Sequence, residues 1–170
     1  GGTDQAITVS AAGSYTVEYT DGDGSKTPSA ATPVTVNALP AAPTITAGGT
    51  TTLCDGESVV LTSSEATGNV WSNGGTTQAI TVSAAGSYTV EFTDGNGCKA
   101  TSAATAVTVN PIPTLDAGPD QTICAGESVT LSGSGATNYA WDNSVTNGTS
   151  FIPSATTTYT VTGTDANGCS

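Results

Sequence analysis

The chain is built on an internal repeat, and this periodicity constrains its fold more than any other feature. Residues 1–37 and 74–110 are offset by 73 residues and are identical at about 30 of their 37 aligned positions. A looser third copy begins at about residue 111, where the segment Thr52–Thr62 recurs as Thr122–Ser132. A period of this length matches a compact domain with its own core, because most solenoid units are shorter. We therefore predict a string of separate small domains.

Short β-strands and tight turns account for the pattern within each copy. Residues 87–94 read SYTVEFTD, an alternation of apolar and polar side chains that predicts a half-buried strand. A turn sequence rich in Gly and Asn follows at Asp94, and similar sequences begin at Asp21 and Asp165. These turns predict hairpins whose next strand returns antiparallel. No stretch of the chain shows a capped helical period.

The number of strands and the placement of the aromatic residues predict the fold class. Further short strands are expected at 59–61, 69–71 and 79–82, which gives about seven strands per repeat. A Trp after the second strand and a Tyr that opens the penultimate strand are typical of an immunoglobulin-like sandwich. We predict an all-β chain of tandem immunoglobulin-like β-sandwich domains joined by short Pro-containing linkers. The predicted core aromatic residues are Trp71, Trp141, Tyr15, Tyr88 and Tyr159.

The repeat boundaries give three parts, which we call the first, second and third repeats. Residues 1–37 are predicted to be the C-terminal part of an immunoglobulin-like repeat, and residues 38–110 a complete one. Residues 111–170 are predicted to form an immunoglobulin-like or PKD-like repeat that lacks its last strand. We expect both ends to be cuts in a longer chain. Because Pro stiffens the short joints near residues 37–45 and 110–115, the repeats should form a rod with limited bending.

The charge balance excludes several classes of partner and of chemistry. The chain has 14 acidic and 2 basic side chains, a formal net charge of -12. Such a surface repels nucleic acid and anionic lipid, so we predict no nucleic-acid partner. No apolar run approaches the roughly 20 residues of a membrane span, so no membrane insertion is expected. There is no His, and the carboxylates are scattered over turns and outer faces. A catalytic triad or zinc-bound water cannot be assembled, and we predict that the chain is not an enzyme.

Four cysteines at equivalent places in the repeats predict disulfides and an oxidising, extracellular location. Two pairings of Cys54 are open, with Cys98 in the same repeat or with Cys169 in the next. A strand of six residues spans about 20 Å, whereas bridged Cα atoms lie within about 7 Å. This geometry favours the inter-repeat pairing, while reduced or intermolecular arrangements stay open. Cys98 and Cys124 would then pair with repeats outside this chain, and Ser25 replaces the cysteine in the first copy.

Metal binding is the one candidate cofactor chemistry. The Asp-rich turns faintly resemble the start of a calcium loop, but hairpin geometry explains them without a metal. Calcium between the repeats remains an alternative, with Asp55, Glu57 and Asp116 as candidate ligands. We predict no other cofactor.

The aromatic residues and the variable loops define the candidate ligand surfaces. Trp71 and Trp141 could stack on sugars, although a core position explains them better. The loops Ser64–Gly68 and Asn143–Thr149 differ between copies while the strands agree. With only two Lys residues, the sheet edges also lack the charge that blocks edge pairing, so other copies of the chain are candidate partners in a filament.

Several phrases resemble a known class of repeats. They are TTQAITVSAAGSYTVEFTDGNGC, DAGPDQTICAGESVTLSGSGATNYAWDN and PSATTTYTVTGTDANGC. They are similar to the tandem immunoglobulin-like and PKD-like repeats of large secreted Bacteroidetes surface proteins, including gliding-motility adhesins and other type IX secretion substrates. The resemblance implies export, a cell-surface or secreted location, and a role in cell adhesion or in a stalk.

Two functions follow as expectations. The first is a structural stalk or shaft segment of a large extracellular adhesin or filament that holds a functional tip away from the cell. Its partners would be neighbouring repeats and other copies of itself. The alternative is an adhesion module that binds surface glycans or proteins through its strand-end loops.

Overall fold

The computed structural model describes residues 5–170, and in this range the chain is all-β with no helix. The first repeat contributes four strands. Their bounds are β1 (Gly13–Tyr15), β2 (Glu18–Thr20), β3 (Lys26–Pro28) and β4 (Thr32–Val34). The second contributes nine. These are β5 (Ile45–Ala47), β6 (Thr52–Cys54), β7 (Val59–Ser63), β8 (Asn69–Trp71), β9 (Ala79–Val82), β10 (Gly86–Tyr88), β11 (Val90–Thr93), β12 (Lys99–Thr101) and β13 (Thr105–Asn110). In the third repeat the strands are β14 (Val129–Thr130), β15 (Asn138–Trp141), β16 (Ser150–Phe151) and β17 (Val161–Thr164).

The second repeat pairs its nine strands into three groups. One sheet has the order β5-β7-β9, and its pairs are antiparallel. The strands β12-β11-β8 form a second antiparallel group. In the third group, β13 lies between β10 and β6, antiparallel to β10 and parallel to β6. This mixed pairing places the end of β6 beside the end of β13, which is the position of Cys54.

One hydrophobic core joins these groups. Strands β7 and β9 supply Val59, Leu61 and Val82, and the remaining strands supply an aromatic and aliphatic set from the other side. That set is Leu53, Trp71, Tyr88, Val90 and Val107. The alternation of buried and exposed residues along β7 is the signature of a sheet with one face on a core. The arrangement is consistent with a β-sandwich.

The predicted strand over residues 87–94 is interrupted at Thr89. Its first half, β10, pairs with β13, whereas its second half, β11, pairs with β8 and β12. The two halves belong to different strand groups, and the return strand is divided in the same way into β12 and β13. The second repeat therefore has nine strands where the sequence predicts about seven. The antiparallel hairpin after Asp94 is present as predicted.

The third repeat has fewer strand pairs than the second repeat, and its core residues are less buried. Strand β14 pairs with β16, and β15 pairs with β17, both antiparallel. An isolated bridge joins Asp116 to Ser134. Within residues 111–170, no strand takes the position that β13 has in the second repeat. Trp141 is buried, while Leu131 and Tyr159 are only half-buried.

Candidate functional site at the joint between repeats

A tight turn forms the second repeat's side of the joint. After β6, the backbone N–H of Glu57 donates to the Cys54 carbonyl at 3.0 Å, and Oε2 of Glu57 accepts from the Cys54 N–H at 2.8 Å. Gly56 between them has a φ of 90°, a left-handed conformation that suits glycine. The Asp55 N–H donates to the Asn110 carbonyl at 2.8 Å, which fixes the turn to the end of β13. The joint to the third repeat begins at the next residue.

A hairpin turn forms the third repeat's side. Oδ1 of Asp165 accepts from the backbone N–H groups of Asn167 at 2.8 Å and Cys169 at 2.9 Å. The Asp165 N–H in turn donates to the Cys169 carbonyl at 2.9 Å. The hydrogen bond from the Cys169 N–H is the main cause that lowers the pKa of Asp165 below its usual value, because hydrogen bonds favour the charged carboxylate. The turn therefore holds Cys169 by a charge-assisted bond.

A disulfide joins the two sides. Cys54 and Cys169 are bonded with their Cα atoms 5.5 Å apart, across a sequence separation of 115 residues. Cys169 is only 1 % exposed and Cys54 is half-buried, so the bridge is largely shielded from solvent on the side of the third repeat. The structure thus contains the inter-repeat pairing and not the in-repeat pairing with Cys98. Cys98 and Cys124 are free, the first half-buried and the second exposed.

The ends of the strands explain why Cys54 cannot reach Cys98. Cys54 lies opposite Asn110, at the end where the chain leaves the second repeat. Cys98 lies in the turn between β11 and β12, and its N–H donates to Oδ1 of Asp94 at 2.8 Å. Strands β12 and β13 run from this turn to Asn110, so the two cysteines lie at opposite ends of the repeat.

Of the candidate calcium ligands, Asp55 and Glu57 lie in the turn after β6, whereas Asp116 lies outside both turns, at its bridge to Ser134. Oε2 of Glu57 is engaged by the Cys54 N–H, and Oδ1 of Asp116 accepts from the Gly118 N–H at 2.8 Å. Asp55 is exposed beside the disulfide turn. In residues 5–170, no three acidic, Cys or His side chains come together in a group that could hold a metal ion. The hairpin aspartates Asp21 and Asp94 cap their own turns, as Asp165 does.

The role of Glu57 was missed at the level of sequence. Glu127 repeats the same arrangement in the third repeat, where its Oε2 accepts from the Cys124 N–H at 3.1 Å. Glu127 also donates its own N–H to the Cys124 carbonyl at 3.1 Å. The signal was available as the shared spacing of a Glu three residues after each Cys, which resembles the reciprocal bonding of a capping box.

The predicted core aromatics lie at several depths. Trp71, Tyr88 and Trp141 are buried, whereas Tyr15 and Tyr159 are half-buried. Each Trp ring nitrogen donates a hydrogen bond, from Trp71 to the Thr77 carbonyl at 2.8 Å and from Trp141 to Oδ1 of Asn147 at 2.9 Å. Trp71 is 2 % exposed and Trp141 8 % exposed, which favours the core position over a sugar-stacking platform for both residues.

No protein-family model matches this chain, and no curated protein matches it in sequence. Over residues 5–170, the fold provides no helix with the length and apolar character that a membrane crossing requires.

Proposed function

We propose that the chain is a stalk or shaft segment of a large extracellular surface adhesin or filament, a non-enzymatic spacer that holds a distal functional tip away from the cell. Its repeats would be tandem immunoglobulin-like sandwiches set end to end. The observation that carries this proposal is the disulfide between Cys54 and Cys169, because it ties one repeat to the next across their joint.

The second repeat supports the immunoglobulin-like assignment. Trp71 lies in the core on a short strand, and the Tyr88 hydroxyl donates to the Ala84 carbonyl at 2.9 Å. A buried Trp and a Tyr that bonds to the backbone a few residues upstream are hallmarks of that fold. The Tyr15 hydroxyl makes the same bond to the Ala11 carbonyl at 2.9 Å in the first repeat.

The disulfide also supports an extracellular location and a mechanical role. Disulfides form and persist in oxidising environments such as the extracellular space and are rare in the cytosol. When the chain is pulled from its ends, the bridge carries the load directly from Cys54 to Cys169. The 115 residues of separation are then shielded from extension. At roughly 3.5 Å per extended residue, this shielded length is about 400 Å.

Single-molecule pulling tests the proposal. With handles at both ends, the oxidised chain should extend about 400 Å less than the chain after reduction of the disulfide. Cys54→Ser should show the full extension without reductant, and Cys98→Ser is the matched control that keeps the short extension. Equal extension of the oxidised and reduced chains would contradict a load-bearing joint.

The alternative is a module that binds glycans or proteins through its strand-end loops. One observation favours it. Asn143 and Ser144, in the variable loop Asn143–Thr149, have φ values of 52° and 61° although neither is Gly. Exposed residues held in this conformation occur often at binding sites. A glycan array on the intact chain, with Asn143→Gly and Ser144→Gly as loop variants, separates this function from a spacer.

A further inference from the structure

Strands β6 and β13 lie side by side in the second repeat and run in the same direction. All three residues of β6 pair with the last three residues of β13. Backbone hydrogen bonds close the pair at both of its ends. The Thr108 N–H donates to the Thr51 carbonyl at 2.9 Å, and the Asp55 N–H donates to the Asn110 carbonyl at 2.8 Å. The two strands are therefore tied along the whole length of β6.

Side chains and a third strand hold the same pair in register. Leu53 of β6 and Val107 of β13 are buried in one core. On the outer face, the Thr108 hydroxyl donates to Oγ1 of Thr52 at 3.2 Å. On its other side, β13 pairs antiparallel with β10. Because of these contacts, β13 cannot slide past β6 without breaking backbone hydrogen bonds and moving buried side chains out of the core.

A stretching force pulls the two strands in opposite directions. Strand β6 leads back to the first repeat through β5 and residues 38–44, whereas β13 leads forward into the third repeat from residue 111. Since the strands are parallel, tension along the chain slides one past the other and loads all the hydrogen bonds of the pair together. Forced unfolding is governed by the unfolding rate, and a step that breaks these bonds at once has a high barrier.

The disulfide changes the path of this tension. Cys54 is the last residue of β6 and lies opposite Asn110, the last residue of β13. When Cys54 is bonded to Cys169, tension leaves β6 through the disulfide and does not load β13. When the bond is open, the same tension leaves the second repeat through Asn110, and the paired strands must resist it.

We propose that β6 and the last three residues of β13 form a shear clamp, which resists extension of the second repeat whenever the Cys54–Cys169 bond is open. The closed disulfide bypasses the clamp, so the joint has two mechanical elements that act in different redox states. This inference rests on the proposed spacer function, because only a chain under tension uses either element. It adds a device that sets the unfolding force, whereas the disulfide sets the extension.

Pulling in two directions tests the clamp without altering it. In the Cys54→Ser chain, handles at both ends shear the strand pair. Handles on azide-bearing residues that replace Asp55 and Ile112, both exposed and both just beyond the same end of the pair, peel it one hydrogen bond at a time. The second repeat, recognised by its released length, should unfold at a severalfold lower force when it is peeled. Equal forces in the two directions overturn the clamp.

A backbone variant tests the hydrogen bond itself. Thr108→Pro removes the N–H that donates to the Thr51 carbonyl, so it should lower the end-to-end unfolding force of the Cys54→Ser chain. It should leave the short extension of the disulfide-bonded chain unchanged, because tension then bypasses β13.

Thr101→Pro is the matched control on the edge strand β12. The N–H of the next residue, Ser102, donates to the Val90 carbonyl. Because successive N–H groups of a strand point to opposite sides, the Thr101 N–H points away from β11, the one strand that pairs with β12. The control therefore introduces a proline without removing a hydrogen bond of the clamp, and the unfolding force should stay the same.

The remaining outcomes of these experiments also decide the proposal. An equal loss of force in Thr108→Pro and Thr101→Pro assigns the loss to general destabilisation and overturns the clamp. A longer extension of the disulfide-bonded Thr108→Pro chain overturns the bypass. If Thr108→Pro does not fold, the two pulling directions decide. None of these results changes the difference in extension between the oxidised and reduced chains, so the clamp and the spacer function fail separately.

Discussion

Residues 13–34 and 86–107 adopt the same local structure but differ sharply in burial. Gly13 pairs with Val34 as Gly86 pairs with Val107, and the hairpins β2–β3 and β11–β12 share one register. In each hairpin, Nζ of a Lys lies 2.6 Å from Oε1 of a Glu on the paired strand. Yet Val17 is 69 % exposed in the first repeat, and its counterpart Val90 is 0 % exposed in the second.

The comparison shows that a hairpin forms from local sequence alone, whereas burial of a core residue needs partners from elsewhere in the chain. Turn residues, strand alternation and side-chain caps act over a few residues, so the two copies agree in them. Burial of Val90 depends on partners distant in sequence, including Leu61 and Trp71, and residues 5–37 have no counterpart of β5 to β9 in this chain. The third repeat lies between these extremes, with a buried Trp141 but half-buried Val129 and Leu131.

The largest expected effect comes from core leucines at equivalent positions. Leu61→Ala should lower the free energy of unfolding of the second repeat by about 4 kcal/mol, because the fully buried side chain leaves a cavity. Leu131→Ala, at a half-buried site, should cost about 2 kcal/mol in the third repeat. Each loss of stability is measured by urea unfolding. The unfolding is followed by the fluorescence of Trp71 or Trp141, with the other Trp replaced by Phe. Equal losses would show that the third repeat is as closed as the second.

Valines of the two nearly identical copies give a sharper test. Val90→Ala should destabilise the second repeat by about 2 kcal/mol, since two methyl groups leave a closed core. Val17→Ala removes the same atoms from an exposed site and should change stability by less than about 0.5 kcal/mol. Hydrogen exchange of the β2–β3 and β11–β12 amides compares them directly. A large effect of Val17→Ala would mean that another surface covers the first repeat.

Ser102 and Ser29 occupy equivalent positions in the two copies, and they test a hydrogen bond between a side chain and the backbone in the same way. Oγ of Ser102 accepts from the Val90 N–H at 3.1 Å, and Oγ of Ser29 accepts from the Val17 N–H at 3.1 Å. Ser102→Ala should cost about 1.5 kcal/mol because it leaves a buried N–H without a partner, whereas water can replace Ser29. Ser29→Ala is the control, and a similar cost for both variants would rule out burial as the cause.

The smallest expected effect is a pH dependence of the joint. The folded-state pKa of Asp165 lies below its usual value of 3.8, so its contribution to stability is present above that value. It is lost as the pH falls through the lowered folded pKa. Amide exchange at Cys169, corrected for its intrinsic rate, should therefore speed up as the pH falls below 3.8 through the lowered pKa, and Asp165→Asn should remove this acceleration. The same acceleration in Asp165→Asn would assign it to another group.

The sequence by itself determined the features that depend on neighbouring residues. Local patterns were enough to predict the repeat, the all-β class, the hairpins after the Asp turns and the strands that carry Trp71 and Trp141. Alternation and turn chemistry act within about ten residues, so they appear directly in the chain. The geometric argument for Cys54 and Cys169 also came from the sequence, but the in-repeat pairing stayed open until strand order was known.

Only the tertiary structure decided which segments share a core and which are left without partners. The parallel pairing of β6 with β13 brings Cys54 to the joint. The predicted strand 87–94 is divided because β10 pairs with β13, whereas β11 pairs with β8 and β12. Burial of Val90 follows from distant strands, and Val17 is exposed because residues 5–37 have no counterparts of those strands in this chain. The physical reason is that hydrophobic burial depends on the surfaces that surround a side chain, while hairpin geometry depends on the residues beside it.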